Sequence, residues 1–95
     1  MIEIVLGSGL RVRVILALWK YGELHTTELA HRLGTNYRLL MRHIGVLSRY
    51  GIVEERRIGR LRLVKLSNKT HVIELAKALA KMEEYLEATY KDTTL

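Results

Sequence analysis

The stretch TTELAHRLGTNYRLLMRHIGVLSRYG, Thr26 to Gly51, decides the fold. Gly34 and Gly51 stand where an apolar periodicity stops, at the place where a left-handed residue closes a helix. The first segment, Thr27 to Leu33 with Thr26 as its cap, carries Glu28 near its positive end and sets Leu29 and Leu33 one turn apart, facing inward. A second helix, capped by Thr35 or Asn36, runs to Tyr50. At about 100° per residue Leu40, Ile44 and Leu47 share one face, while Arg38, Arg42 and Arg49 lie roughly 160° to 200° away, with Gly45 beside them. Gly34 and a cap residue alone separate the two helices. A connection that short forces packed helices to cross steeply, which is the helix-turn-helix arrangement. A helix with a greasy back to dock and an arginine front that nothing in the chain neutralises is shaped for a polyanion.

Upstream, Ser8 caps a helix from Gly9 to Tyr21 that stops at Gly22 and is expected to bury Val12, Ile15, Leu16 and Trp19. Met1 to Leu6 reads equally as a short strand or as an extension of that helix. Downstream, the pattern turns extended: Ile52 to Arg57 and Arg60 to Leu66 are β-type runs joined by a turn at Ile58 and Gly59. The hairpin so formed has a basic tip of Arg56, Arg57, Arg60 and Arg62. From Ser67, a cap residue, a helix runs to about Tyr90, and Val72, Leu75, Leu79, Met82 and Leu86 step along it as a heptad seam. At about 1.5 Å per residue this helix is roughly 34 Å long, more than the rest of the domain can cover. Homodimerisation through the seam is the expectation, against packing onto the first helix or onto another partner. Residues 91–95 are expected to fray.

Composition narrows the partners. The chain has 95 residues with a 48% hydrophobic fraction, enough for one small core. Residues 1–67 hold 12 Lys and Arg against 5 Asp and Glu, and residues 68–95 hold 4 against 5, so the whole excess of the +6 net charge sits in the first two thirds. Ten of the sixteen basic residues are Arg, whose planar fork suits phosphate oxygens and guanine edges. Nucleic acid is the first partner to consider. There is no cysteine for a disulfide or thiolate site. With no signal peptide and no membrane-length apolar run, a soluble, cytoplasmic protein is expected. Asp92 is the single aspartate and the histidines are scattered, so no nucleophile, base and orienting group assemble into an enzyme.

Three strings resemble the winged helix-turn-helix transcription regulators of prokaryotes, in particular the ArsR-like and MarR-like groups as archaea use them. LGSGLRVRVIL (Leu6 to Leu16) is similar to the opening of such domains, TTELAHRLG (Thr26 to Gly34) resembles their positioning helix, and MRHIGVLSRYGIVEERRIGR (Met41 to Arg60) resembles a recognition helix running into a wing. The resemblance covers about residues 6–67. It implies a mainly α fold with a small β-hairpin: a winged-helix DNA-binding part over 1–67 and a C-terminal dimerisation helix over 68–95, within one domain.

By the same resemblance Asn36 to Arg49 is the recognition helix, entering the major groove mostly with its N-terminal half, and Arg56 to Arg62 is the wing, reaching backbone or minor groove. Arg38 is the candidate for a guanine edge, Arg42 for base or phosphate, and Arg49 for backbone. Asn36, Tyr37, Met41 and Gly45 complete the contact set on the helix, with packing beside Leu40 as the other reading of Tyr37. The family often has a long polar residue where this chain has Gly45, and the cysteine ligands of its metal-sensing members are absent. Among His25, His31, His43 and His71, the His71 and Glu74 pair has ligand spacing, but Leu66 to Thr70 supply no upstream Asp or His. No metal and no cofactor are expected, His43 reads as a half-buried residue flanking Ile44, and a small-molecule effector is left open. The expected function is a homodimeric, sequence-preferring regulator on double-stranded DNA, its two recognition helices about 34 Å apart. The alternatives are a low-specificity chromatin or architectural protein and a winged helix that meets an acidic protein partner.

Overall fold

The structure, a computed structural model, describes residues 1–90, so the expected fraying of residues 91–95 lies outside the described residues. In chain order it comprises α1 (Ile2–Val5), α2 (Gly9–Tyr21), β1 (Leu24–His25), α3 (Thr26–Leu33), α4 (Tyr37–Arg49), β2 (Val53–Ile58), β3 (Leu61–Leu66) and α5 (Thr70–Tyr90). Residues 2–5, undecided between strand and helix, form a separate turn of helix.

The helix-turn-helix is closed by its own hydrogen bonds. Gly34 sits at φ +64°, its amide donates to His31 and that of Thr35 donates to Ala30, a Schellman ending that only a residue at ease in the left-handed region makes cheaply. One residue later the Asn36 side-chain oxygen accepts from the Leu39 amide at 2.8 Å and starts α4. The cap of α3 differs from expectation. His25 Nδ1 accepts from the Glu28 amide at 3.4 Å, while Thr26 is buried and its hydroxyl lies 2.9 Å from the Tyr37 hydroxyl, across the turn.

The sheet has three strands, not two, in the order β1-β3-β2, all antiparallel. Two-residue β1 is too short to leave a period of its own, and Leu24 is recruited by burial opposite Val64. In the hairpin, Val53 faces Leu66 and Ile58 faces Leu61, which leaves Gly59 and Arg60 as the turn, one residue beyond the expected position. Gly59 supplies φ +59° at the first central position, the place where a two-residue hairpin turn of the II′ kind takes glycine. At the base of the wing, Ile52 donates to Leu47 of α4 at 2.8 Å and Ser67 donates back to Ile52 at 2.9 Å.

The core gathers Val14, Ile15, Leu18, Leu29, Leu40, Ile44, Leu47, Val53, Val64, Val72 and Ala76. Within α2 the buried face is Val14, Ile15, Ala17 and Leu18, whereas Val12 and Leu16 are half-buried and Trp19 is 38% exposed. That helix is apolar nearly all round, so its sequence does not mark one inward stripe; the packing of α3, α4 and α5 around it decides. The α5 helix starts at Thr70, after Ser67 has accepted from the Lys69 amide at 3.2 Å. The heptad seam divides along it. Val72 is 1% exposed inside the chain's own core and offers a partner no surface, a correction to its place in the dimerisation set. Leu75 and Leu79 are half-buried, and Met82 and Leu86 are exposed.

Candidate nucleic-acid interface

Helix α4 is held by its apolar face and presents its arginines outward. Leu40, Ile44 and Leu47 are fully buried, while Arg38, Arg42 and Arg49 are exposed on the opposite side. None of the three makes a hydrogen bond or an ion pair among the described residues. Gly45 lies on this exposed side, and a methyl group built on it meets nothing within 4 Å.

The other helix candidates separate by what already holds them. Asn36 spends its side-chain oxygen on the α4 cap, and Tyr37 is tied through its hydroxyl to Thr26, its ring still 44% exposed. Met41 is half-buried and packs on the core, beside the outward face rather than at its centre. His43 is half-buried, as its position beside Ile44 suggested, and its Nδ1 accepts from Arg11 Nε at 3.0 Å. A second nitrogen of the same guanidinium donates to the Ile4 carbonyl, so Arg11 bridges α1, α2 and α4. Burial holds the His43 pKa below its ordinary 6.5, and the positive charges of Arg11 and Arg42 push the same way.

On the wing, the four arginines are not equivalent. Arg56 is clamped by Glu23, through Nε to one carboxylate oxygen at 2.9 Å and a terminal nitrogen to the other at 2.8 Å. Its guanidinium holds the Glu23 carboxyl below the usual range, chiefly through that hydrogen bond. A bidentate pair of this kind is strong and oriented, so Arg56 belongs to the base of the wing rather than to a free cationic tip. Arg62 is half-buried and 3.8 Å from Glu55. Arg57 and Arg60 are exposed and unpaired among the described residues. The register puts Arg57 directly opposite Arg62, like charges side by side, an arrangement that a bound anion would relieve. Two exposed aliphatic residues, Ile58 and Leu61, close the hairpin between these arginines.

Sequence reasoning missed Glu23 and Arg11. Glu23 acts through the unread strand β1, whose pairing with β3 brings the carboxylate within reach of Arg56 on β2, and Arg11 meets a histidine 32 residues away with no short motif to announce it. No group of three or more His, Asp or Glu side chains able to hold a metal occurs among the described residues. No helix among them is long and apolar enough to cross a membrane.

No family profile matches the chain, and no curated protein matches it. Several solved structures do. HlyU of Vibrio cholerae N16961 is similar with a TM-score of 0.78 at 25% identity, over 85% of this chain and 86% of that one. The transcriptional repressor BigR of Xylella fastidiosa gives 0.76 at 28% identity, over 87% and 80%. A homodimeric winged helix-turn-helix DNA-binding domain of Mycobacterium bovis, Mb0332, described as a possible ArsR-family regulator, gives 0.71 at 24% identity, over 86% and 74%. The neighbours are winged-helix transcription regulators, and the fold of this chain, mostly helical with a small antiparallel sheet, is the winged helix-turn-helix.

Proposed function

We propose that the protein is a homodimeric, sequence-preferring DNA-binding regulator of transcription, acting in the cytoplasm. The observation that carries this reading is that five arginines, Arg38, Arg42, Arg49, Arg57 and Arg60, stand exposed and unpaired among the described residues on the second helix of a helix-turn-helix and on its wing. Helix α4 enters the major groove. Arg38, nearest its start, reads a base edge, Arg42 reads base or phosphate, and Arg49 meets backbone; Arg57 and Arg60 reach the neighbouring backbone or minor groove. The likeness to HlyU and to the repressor BigR supports a regulatory role.

Dimerisation is supported by the outer half of α5, where Met82, Tyr85, Leu86 and Tyr90 are 54%, 54%, 41% and 54% exposed. Apolar and aromatic side chains at that spacing on one long helix suit a second copy of the same helix. If a dimer neutralises about 6 to 8 phosphates, log K falls with log salt at a slope near about −6.

Selection of bound duplexes from a random pool, followed by footprinting, tests the reading. The expected result is a palindrome with half-sites about one helical turn apart and a specificity ratio of about 10³ or more. A ratio below about 10 replaces regulation with a chromatin or architectural role, and no binding to any duplex at low salt points to a protein-interaction module.

A further inference from the structure

We propose that the tip of the wing is an apolar wedge: Ile58 and Leu61 enter the minor groove and lie against its walls, while Arg57 and Arg60 hold the phosphates on either side. The inference rests on the DNA-binding reading above and goes beyond it by assigning an uncharged contact to a surface otherwise read as electrostatic.

Ile58 and Leu61 face one another as the last pair before the Gly59–Arg60 turn, and they are 51% and 49% exposed. Neither belongs to the core or to the partly buried residues that line it. Every residue from Glu54 to Leu61 is exposed, and beyond the Arg56–Glu23 clamp the tip adds nothing to the core that would account for two aliphatic side chains. A hairpin end ordinarily takes polar residues, and leaving Ile and Leu in water at the most outlying point is unfavourable without an occupant.

The surroundings select the occupant. Arg57 precedes Ile58, Arg60 precedes Leu61, and Arg62 follows it, so whatever covers the apolar pair carries dense negative charge on both sides. A duplex meets that requirement in one direction more than any other surface: β2 begins four residues after α4 ends, so the wing continues from the helix that carries the other free arginines. The minor groove, about 6 Å wide, is too narrow for a two-stranded ribbon but admits aliphatic side chains from its tip. Its walls are deoxyribose carbons flanked by phosphates, which is the complement of Arg, Ile, Gly, Arg, Leu, Arg. Wedges of Ile or Leu in that groove favour soft pyrimidine-purine steps, so the selected site is expected to carry such a step beside each half-site.

The test compares three full-length proteins on the selected duplex. Ile58→Thr/Leu61→Thr and Ile58→Val/Leu61→Val place side chains of the same size and β-branching at both positions and differ only in a hydroxyl against a methyl, so the Thr pair lowers the apolarity of the tip and the Val pair keeps it. The Thr pair is expected to bind about tenfold more weakly at an unchanged salt slope, because no charge is lost, and to lose protection of the minor groove at the flanking step. The Val pair is expected to stay within about threefold of the parent. Equal affinity for the Thr pair and the parent overturns the wedge, as does a Val pair as weak as the Thr pair, which would mark hairpin geometry instead. A Thr pair that loses its oligomeric state in sedimentation also overturns it, because the tip would then be a contact between copies. If the parent itself binds no duplex at low salt, the DNA-binding reading fails before the wedge is reached.

Discussion

Arg38 and Arg49 sit on the same face of α4 eleven residues apart, so in the proposed complex they would meet a duplex at different depths. Arg38→Ala is expected to cost about 1 to 3 kcal/mol on the selected sequence and little on random DNA, as a base contact does. Arg49→Ala is expected to weaken both alike and to make the salt slope of the dimer shallower by about two, as a phosphate contact does. Titration of each variant against both duplexes at several salt concentrations separates them. Gly45 gives a second residue-level prediction. Open space surrounds its Cα, so Gly45→Ala is expected to raise the melting temperature by a few degrees, from about 1 kcal/mol of helix propensity. The same variant is expected to bind the selected duplex more weakly, and an unchanged Kd would reduce Gly45 to a tolerated glycine. At this scale the sequence was legible where period alone decides, as for Leu40, Ile44 and Leu47 against Arg38, Arg42 and Arg49. It was not legible where a partner from another element decides: Arg56 looks free until Glu23 is placed beside it, and Met41, between Leu40 and Arg42, looks fully outward until its packing on the core is seen.

Elements were legible when they end in a residue of special chemistry. Gly34 and Gly59 mark a helix stop and a hairpin turn that Ramachandran sterics reserve for such residues, and Asn36 caps the start of α4. Strand β1 carries no such mark, because it exists through its pairing with β3, and with it went the position of Glu23. That carboxylate sets up a prediction for the wing as an element. Glu23→Gln is expected to free Arg56 for phosphate, steepening the salt slope by up to about two per dimer and tightening binding at low salt. An unchanged slope would mean that Arg56 does not reach the duplex. Helix α4 has its own tether, the Arg11 bond to His43, and this one titrates. The folded pKa of His43 is below 6.5, so the unfolded chain takes up its proton first. The stability this residue contributes is therefore complete above about pH 6.5 and is lost as pH falls through the lower folded value. Thermal melts at pH 7.5 and 5.0 are expected to show a larger drop for the parent than for His43→Gln, and equal drops would remove His43 from the acid response.

At the scale of the whole molecule, the long axis of 44 Å, against 28 and 23 Å for the others, goes with the 21-residue helix α5, whose outer half is exposed. Its first half is spent on Val72 and Ala76 in the core, and its last turns hold exposed Met82, Tyr85 and Leu86. The heptad period showed that the helix has an apolar side but not that this side leaves the core half-way, since a core and a partner helix demand the same residues. Leu86→Glu is expected to shift the protein to monomer in sedimentation and to weaken binding to a two-half-site duplex by about 10², with binding to a single half-site nearly unaffected. A dimer that survives the substitution would put the contact elsewhere.

The paired Gly34 and Thr35 amide bonds, together with the Thr26 hydroxyl reaching Tyr37, leave the junction of α3 and α4 no slack. With α3 and α4 tied in this way, a signal that silenced the proposed dimer would be expected to act on the ruler and not on the lettering. It would alter the stride between the two subunits, until both feet no longer fall on the same side of the double helix.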